Sequence, residues 1–378
     1  MKISKQKALV ENDLSSMDIK SDEDVEGYDT SIPDSNLNYP IDSFLIRHET
    51  RTAYDVVRRV KSGTIIMDPD FQRDFIWEPA KQSKFIESLL MRLPLPVFYL
   101  AENNDGRTIV VDGLQRLMTI FRYINNVFAL KGLKGFSTEF NNRKFEDLPP
   151  KYQNYIEDTQ LILYLIDNKV PVQAQLDIFE RVNSGERLTR QQMRNCIYIG
   201  KGTKWLKEMS NHDLFLKATS KSINSKTMRD RECINRYCGF KLLGIKEYNG
   251  DMDDFLAKTL LHMNTLDDGD LNILKDKFIL SLKNNISVFG QHAFRKHDPQ
   301  TQYRSIINIS LFDVYSVILS NHSEQDVNNK KEEIRDSFYE LIKDNDFHNS
   351  ISLGTNGRKQ VSIRFELVEN EINRIFKR

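Results

Sequence analysis

The chain has 378 residues and is longer than a domain with a single hydrophobic core usually is, so its length predicts two domains. Its 54 basic and 54 acidic residues balance, which excludes a protein whose whole surface binds nucleic acid but is compatible with a local basic groove. Three cysteines without a CxxC pair exclude a disulfide framework and a zinc ribbon. No stretch is apolar enough to span a bilayer, and the N-terminus lacks the apolar segment of a signal peptide. We therefore expect a cytoplasmic protein without membrane contacts and with buried thiols.

Three regions differ in composition. Residues 1–40 are rich in Asp and Glu and poor in large apolar residues, which predicts a disordered acidic arm. Such an arm serves solubility or, alternatively, occupies a basic groove until a nucleic acid displaces it. Residues 41–200 mix strand and helix patterns and are expected to form one domain, whereas residues 201–378 are expected to form a helical domain.

Short strands and helices alternate in the first part of the second region. Apolar periodicity predicts strands over 43–47, 64–67, 97–102 and 108–111 and helices over 53–61 and 79–91. The last two strands are separated by Asn103-Asn-Asp-Gly106, whose Asp-Gly pair is typical of a hairpin. Residues 68–77 are irregular but hold three aromatic side chains, which is typical of an anchored binding loop. Gln72 and Arg73 are its polar members that we expect to face a ligand.

Residues 108–124 are the central stretch of the sequence. A Val- and Ile-rich strand turns there directly into a helix at Asp112-Gly113, and the first N–H groups of a helix favour an anion. Gly113 permits close approach of a ligand, and Arg116 adds donors suited to phosphate. Asp112 and Gln115 can orient a metal, a water or a hydroxyl. The alternative is that Asp112 only caps the helix and Arg116 only pairs with a surface carboxylate.

A second polar turn follows further along the chain. The pattern predicts a short helix over 149–157, a buried strand over 161–166 and a helix over 171–182. The last helix is expected to end at Asn183-Ser-Gly185, with Thr189 capping the next one. Arg181 and Asn183 would complete a ligand site if this turn lies near the first. The alternative is a tight helix-loop-helix without a ligand.

Beyond residue 203 the pattern is almost entirely helical. Helices are predicted over 204–218, 229–245, 252–266, 271–289, 304–319, 327–344 and 358–376. A basic run in this region predicts contacts with nucleic-acid phosphates or, alternatively, a solvated helix face. Its members are Lys217, Lys221, Lys226, Arg229, Arg231 and Arg236. No HExxH, GxSxG or paired CxxC motif is present, so this half contains no recognisable nuclease centre.

Four ordered motifs lie between about residues 45 and 200. They are Phe71-Gln-Arg73 before Trp77, Leu93-Pro-Leu-Pro-Val97, Val111-Asp-Gly-Leu-Gln-Arg-Leu117 and Phe179-Glu-Arg-Val-Asn-Ser-Gly185. In this order they resemble the N-terminal domain family of the GmrSD restriction endonucleases, and Arg229-Asp-Arg-Glu232 is similar to the helical continuation of that family. The resemblance implies an α+β fold, with a small mixed sheet and helices similar to ParB and sulfiredoxin, followed by an all-helical domain.

The family signature reads Asp-Gly-Gln-Gln-Arg, and Leu114 stands at its third position in this chain. The resemblance implies a nucleoside-triphosphate site with Mg²⁺ in which Asp112, Gln115 and Arg116 act as catalytic residues. The expected nucleotide-binding residues are Gln72, Arg73, Gly113, Arg181 and Asn183. Because Leu114 replaces a polar residue of the signature, the resemblance supports nucleotide binding more strongly than hydrolysis.

The resemblance also implies nucleoside-triphosphate hydrolysis in a restriction system that acts on or with DNA in bacterial defence against phage. Many family members carry a C-terminal His-Asn-His nuclease domain, which is not recognisable here. We therefore expect a switch protein that works with a partner nuclease or as a homo-oligomer. The alternatives are a ParB-like DNA-binding module without catalysis and a nuclease subunit.

Overall fold

The structure is a computed structural model that describes residues 25–27, 46–67, 77–103, 106–167, 169–170, 174–175, 178, 181, 189–300 and 303–377. Contacts divide the chain into two compact units. The sheet unit holds the described residues within Ser31–His212 and Ser225–Asp276, and the C-terminal unit holds those within Met1–Thr30, Asp213–Asn224 and Lys277–Arg378. The predicted acidic arm, residues 1–40, lies outside the described residues except for 25–27. The predicted domain boundaries stay predictions.

Strands and helices are numbered here in chain order. The strands are β1 Val25–Glu26, β2 Ile46–Thr52, β3 Ile65–Ile66, β4 Phe98–Glu102, β5 Thr108–Asp112, β6 Gln160–Ile166 and β7 Ile307–Asn308. The first helices are α1 Ala53–Lys61, α2 Pro79–Leu90, α3 Leu114–Ile124, α4 Pro150–Glu157, α5 Arg190–Ile197, α6 Lys201–Ser210 and α7 Asp213–Thr219. The remaining helices are α8 Arg229–Leu242, α9 Met252–Thr265, α10 Asp268–Phe289, α11 Ile309–Leu319, α12 Glu324–Lys343, α13 Asn345–Ser350 and α14 Arg358–Phe376.

The sheet unit is built on a mixed five-stranded sheet in the order β2-β6-β4-β5-β3. β2 and β6 are antiparallel, β6 and β4 are parallel, β4 and β5 are antiparallel, and β5 and β3 are parallel. The antiparallel pairing of β4 with β5 confirms the predicted hairpin. A small mixed sheet followed by helices confirms the predicted α+β fold class.

Each face of this sheet packs against a different layer, because successive side chains of a strand point to opposite faces. Leu100, Val110 and Leu163 belong to a buried cluster with residues of α1, α2, α3 and α4. The alternate residues Ala101 and Ile166 belong to a second cluster with residues such as Met193 of α5. The candidate site lies at the end of β5, where the sheet meets α3.

Some predicted elements differ from those observed. Of the strand predicted over 43–47, residues 43–45 lie outside the described residues; residues 46 and 47 begin β2, which continues to Thr52 because the whole of Ile46–Thr52 pairs with β6. The single helix predicted over 204–218 is wrong, since the chain breaks after Ser210 into α6 and α7. The helix predicted from residue 304 begins only after Asn308, whose side chain caps α11 by accepting from the Leu311 N–H at 3.0 Å.

The C-terminal unit joins β1 and β7 in a parallel two-stranded sheet and packs its helices around aromatic side chains. Phe289 and Phe338 lie with ring centroids 5.1 Å apart. Arg364 and Asp313 form an ion pair at 2.9 Å whose two side chains are fully buried. The three cysteines of the chain are free and buried, as predicted: Cys196, Cys233 and Cys238. Among the described residues, no helix has the length and apolarity needed to cross a membrane.

Candidate nucleotide site at the start of α3

A β-bulge lies at the end of β5. Leu100 of β4 pairs with Val110 of β5. The next pair is Tyr99 with Asp112, which leaves Val111 as an extra residue. A bulge bends its strand and re-aims the side chains beside it. This irregularity therefore sets Asp112 level with Tyr99 at the point where the chain leaves the sheet.

Gly113 connects β5 to α3 in the left-handed backbone region, with φ at 93°. A Cβ at this position would lie 2.5 Å from Cδ1 of Phe98, so any side chain would collide with a ring of the core. The Gly113 carbonyl accepts the first helical hydrogen bond from the Leu117 N–H at 2.8 Å. Gly113 has no side chain with which to cap α3, and the first turn keeps the donor character that favours anions at helix starts.

Arg116 is held at this helix start by three contacts. Its Nη2 donates to Oδ2 of Asp112 at 2.7 Å, and its Nη1 donates to the Pro96 carbonyl at 2.6 Å. The guanidinium lies 4.6 Å above the centre of the Phe98 ring. Burial lowers the pKa of Arg116, and the adjacent Asp112 charge opposes this change. A guanidinium remains protonated at neutral pH, so the helix start carries a fixed cation.

The ion pair between Arg116 and Asp112 is largely buried but keeps some contact with solvent. The side chain of Arg116 is 13% exposed and that of Asp112 is 22% exposed. The guanidinium therefore does not extend into bulk solvent. Asp112 does pair with Arg116, however, so the pair also neutralises a partly buried charge in the protein itself. Two of the five guanidinium donors are used in the contacts above.

The other predicted residues of the motif lie on the same turn or outside the described part of the chain. Gln115 is half-buried, and its carbonyl accepts from Oγ1 of Thr119 at 2.7 Å. Leu114 packs against the larger core cluster of the sheet unit, so position 114 contributes to packing in this chain. Arg181 is a helical, exposed residue. Three predicted nucleotide-binding residues lie outside the described residues: Gln72, Arg73 and Asn183.

The basic run does not form one surface within either unit. Lys217 and Lys221 are exposed in the C-terminal unit, whereas its other members belong to the sheet unit. Arg231 and Arg236 on α8 are only 4% and 1% exposed, because α8 is buried along most of its length. These two side chains are not accessible to a nucleic-acid backbone in this conformation. The remaining exposed or half-buried members are Lys217, Lys221, Lys226 and Arg229, and their nucleic-acid role stays a prediction.

The sequence did not single out an aromatic row that crosses the sheet beside the site. His48 of β2 pairs in register with Tyr164 of β6, and Tyr164 pairs with Tyr99 of β4. Tyr99 in turn pairs with Asp112 of β5. The Tyr99 and Tyr164 rings are stacked, with centroids 5.4 Å apart and planes at 23°. His48 and Tyr164 lie 5.5 Å apart at 54°. Only the strand order reveals this row, which we call the aromatic row.

The described residues contain no group of three or more His, Cys, Asp or Glu side chains able to hold a metal ion by themselves. Magnesium at nucleotide sites needs less, because it usually binds one or two carboxylates together with phosphate oxygens and water. The partly exposed carboxylate of Asp112, at the start of a helix that favours phosphate, fits this pattern.

Comparison with known families bears on the same part of the chain. Residues 53–199 match the family described as GmrSD restriction endonuclease, N-terminal domain. The matched segment begins at α1 and ends just after α5, so it includes the whole β5–α3 junction. The predicted resemblance is thereby confirmed, and this segment associates the chain with restriction and anti-phage systems. Comparisons with curated proteins and with solved structures gave no match.

Proposed function

We propose that the domain over residues 53–199 binds a nucleoside triphosphate at the start of α3 and hydrolyses it as the switch of a restriction system. One observation carries the proposal: Arg116 is fixed beside a glycine-started helix by Asp112, Pro96 and the Phe98 ring. A helix start and a fixed guanidinium both favour phosphate, and here they occur on a single turn.

Each residue of the turn has a distinct role in this proposal. Gly113 adopts the left-handed backbone that turns β5 directly into α3, so the first N–H groups of the helix are the proposed donors to the phosphates. Arg116 neutralises phosphate charge through the donors that its present contacts leave, with no need to leave the Phe98 ring. The positioned donor lowers the barrier by stabilising charge that develops on the transferring phosphoryl group.

Asp112 is the proposed carboxylate for Mg²⁺, which supplies charge neutralisation and orientation of the phosphates when bound. In the present structure Asp112 neutralises Arg116. The contact with Arg116 uses Oδ2 of Asp112, so Oδ1 is the proposed oxygen for Mg²⁺ while the ion pair stays intact. Gln115, on the same turn, is the proposed residue that orients the attacking water.

Two further parts of the proposal follow from the restriction association. DNA is the proposed target with which the domain acts, and a nuclease supplied by a partner or by another copy of the chain is the proposed effector. Nucleotide turnover would then time the action of that effector. Gln72, Arg73, Arg181 and Asn183 are proposed as further nucleotide-binding residues.

The test is a titration of the full chain with ATP, GTP, CTP and UTP in Mg²⁺, together with phosphate-release assays, for wild type and Arg116→Ala. A hydrogen bond to a charged group contributes about 1.5–3 kcal/mol, so we expect nucleotide binding to weaken by about 10- to 100-fold. Arg59→Ala is the matched control, because Arg59 also forms an i,i+4 pair, with Asp55 at 3.0 Å on α1.

The control variant should bind nucleotide as the wild type does. Equal affinity of Arg116→Ala and wild type would rule out the assigned phosphate site. Absence of binding and turnover with every nucleotide would rule out the whole function.

A further inference from the structure

We infer that the Tyr99 and Tyr164 rings of the aromatic row are the stacking platform for the base of the nucleotide. This inference rests on the proposed function, since it assigns the base of the molecule whose phosphates are placed at the start of α3. The ligand part concerned is any flat heteroaromatic base, and the two tyrosines are binding residues beyond the signature motif.

Position is the first argument. Tyr99 is the register partner of Asp112, so the aromatic row ends directly beside the residue that holds Arg116. Adjacent strands of a sheet lie about 5 Å apart, which places the backbone of Tyr164, two strands away, about 10 Å from that of Asp112. This range matches the span between the base and the outer phosphates of an extended nucleoside triphosphate. Because α3 packs on the other face of the sheet, a ligand with its phosphates at the start of α3 passes the end of β5 beside Asp112 to bring its base to the rings.

Exposure is the second argument. Tyr99 and Tyr164 are only half-buried, and His48 at the end of the row is exposed. Next to Tyr164 on the same face, Ile162 is 38% exposed, so this part of the face is not sealed by the protein core. The opposite face has Leu161, Leu163 and Leu165, all of which are buried. Tyr99 and Tyr164 thus lie at the partly exposed margin of a face whose other residues, such as Ile166, pack in the second buried cluster.

Ring geometry is the third argument. A cross-strand aromatic pair stabilises a sheet without any ligand, and this stabilisation would account for a single contact between two rings. Here a nearly parallel pair, at 23°, continues to a third ring and leads to a fixed cation. Stacked aromatic side chains beside a positive charge are the usual means by which proteins hold bases, and they tolerate any base because every base has a π-face.

The experiment separates the base from the phosphates by using two probes on the full chain with Mg²⁺. ATP and UTP carry a base, whereas inorganic tripolyphosphate carries none. We expect Tyr164→Leu and Tyr99→Leu to weaken both nucleotides about tenfold or more, because base stacking has effects of this size, and to leave tripolyphosphate unchanged. Arg116→Ala should weaken all three probes.

Conservative variants and a matched control distinguish stacking from structural damage. Tyr164→Phe and Tyr99→Phe keep the rings and should bind nucleotides within about twofold of wild type. Tyr155→Leu is the control, since Tyr155 is a half-buried tyrosine on α4, in the helical layer over the other face of the sheet. Its nucleotide affinity should not change.

Unchanged nucleotide binding in both leucine variants would overturn the inference, and so would an equal loss of tripolyphosphate binding. Wild type that binds nucleotides no better than tripolyphosphate would overturn the inference alone and leave the phosphate site standing. Wild type that binds neither probe would remove the proposed function and the inference together.

Discussion

Gly113→Ala tests the geometry on which the site depends. Two effects add at this position. Alanine in the left-handed region costs about 1–2 kcal/mol, and Gly113 has φ at 93°. The new Cβ would also lie 2.5 Å from a carbon of Phe98, a ring that is only 1% exposed, and overpacking a core costs about 1–3 kcal/mol.

The unfolded chain offsets part of this cost, because replacing glycine by alanine reduces its entropy and stabilises a protein by about 0.4–1 kcal/mol. The net loss in the free energy of unfolding should be about 2–4 kcal/mol. Gly63→Ala is the matched control: Gly63 has φ at 74°, but nothing lies within 4 Å of the point that its new Cβ would occupy. Only backbone strain acts there, and the loss should be about 1 kcal/mol or less.

Urea denaturation followed by tryptophan fluorescence is a suitable assay. The chain has two tryptophans, Trp77 and Trp205, and both belong to the sheet unit, so the signal reports the unit that contains Gly113. Phe98→Leu should reduce the penalty of Gly113→Ala by removing part of the ring. If Gly113→Ala loses no more stability than Gly63→Ala, the packing of Phe98 over the glycine is refuted as the reason for glycine at this junction.

Three further predictions concern buried groups of the sheet unit. Arg194 is 1% exposed and pairs with Asp253 and with Glu232, the latter at 3.2 Å. Arg194→Ala should therefore lower the free energy of unfolding by about 3–5 kcal/mol in urea titrations. An effect below about 1 kcal/mol would show that these ion pairs are dispensable for stability. Burial alone would raise the pKa of Asp253, but Arg194 and Arg190 lower this pKa below the ordinary 3.8. The stability that this carboxylate contributes is therefore present above about pH 4 and is lost as the pH falls further. Asp253→Asn should flatten this part of the plot of stability against pH. Burial also raises the pKa of the Cys238 thiol, which disfavours the reactive thiolate. A thiol-specific reagent should therefore label the folded chain slowly and label three thiols rapidly after denaturation. Rapid labelling of the native protein would contradict the burial of Cys196, Cys233 and Cys238.

Local sequence pattern determined much of the fold. The helix predicted over 53–61 is observed as α1, and the apolar spacing after Gly113 gave α3, because helical periodicity depends on residues three and four positions apart. Thr189 was predicted as a cap, and its side chain accepts from the Gln192 N–H at 3.2 Å. The strand-to-helix turn at Asp112-Gly113 was likewise visible in neighbouring residues. These features are set by short-range interactions, so one stretch of chain is enough to reveal them.

Tertiary structure decided which distant residues lie beside the candidate site. The pairing of Tyr99 with Tyr164 and with Asp112 depends on strand order and on the bulge at Val111, neither of which leaves a local pattern. The burial of individual charged residues could not be predicted from the sequence either. Arg236 belongs to a basic run in the sequence but is 1% exposed in the fold. Charge and periodicity describe a segment, whereas register and burial depend on what the rest of the chain packs against it. The sequence alone therefore identified the candidate phosphate turn, and only the fold revealed the aromatic row beside it.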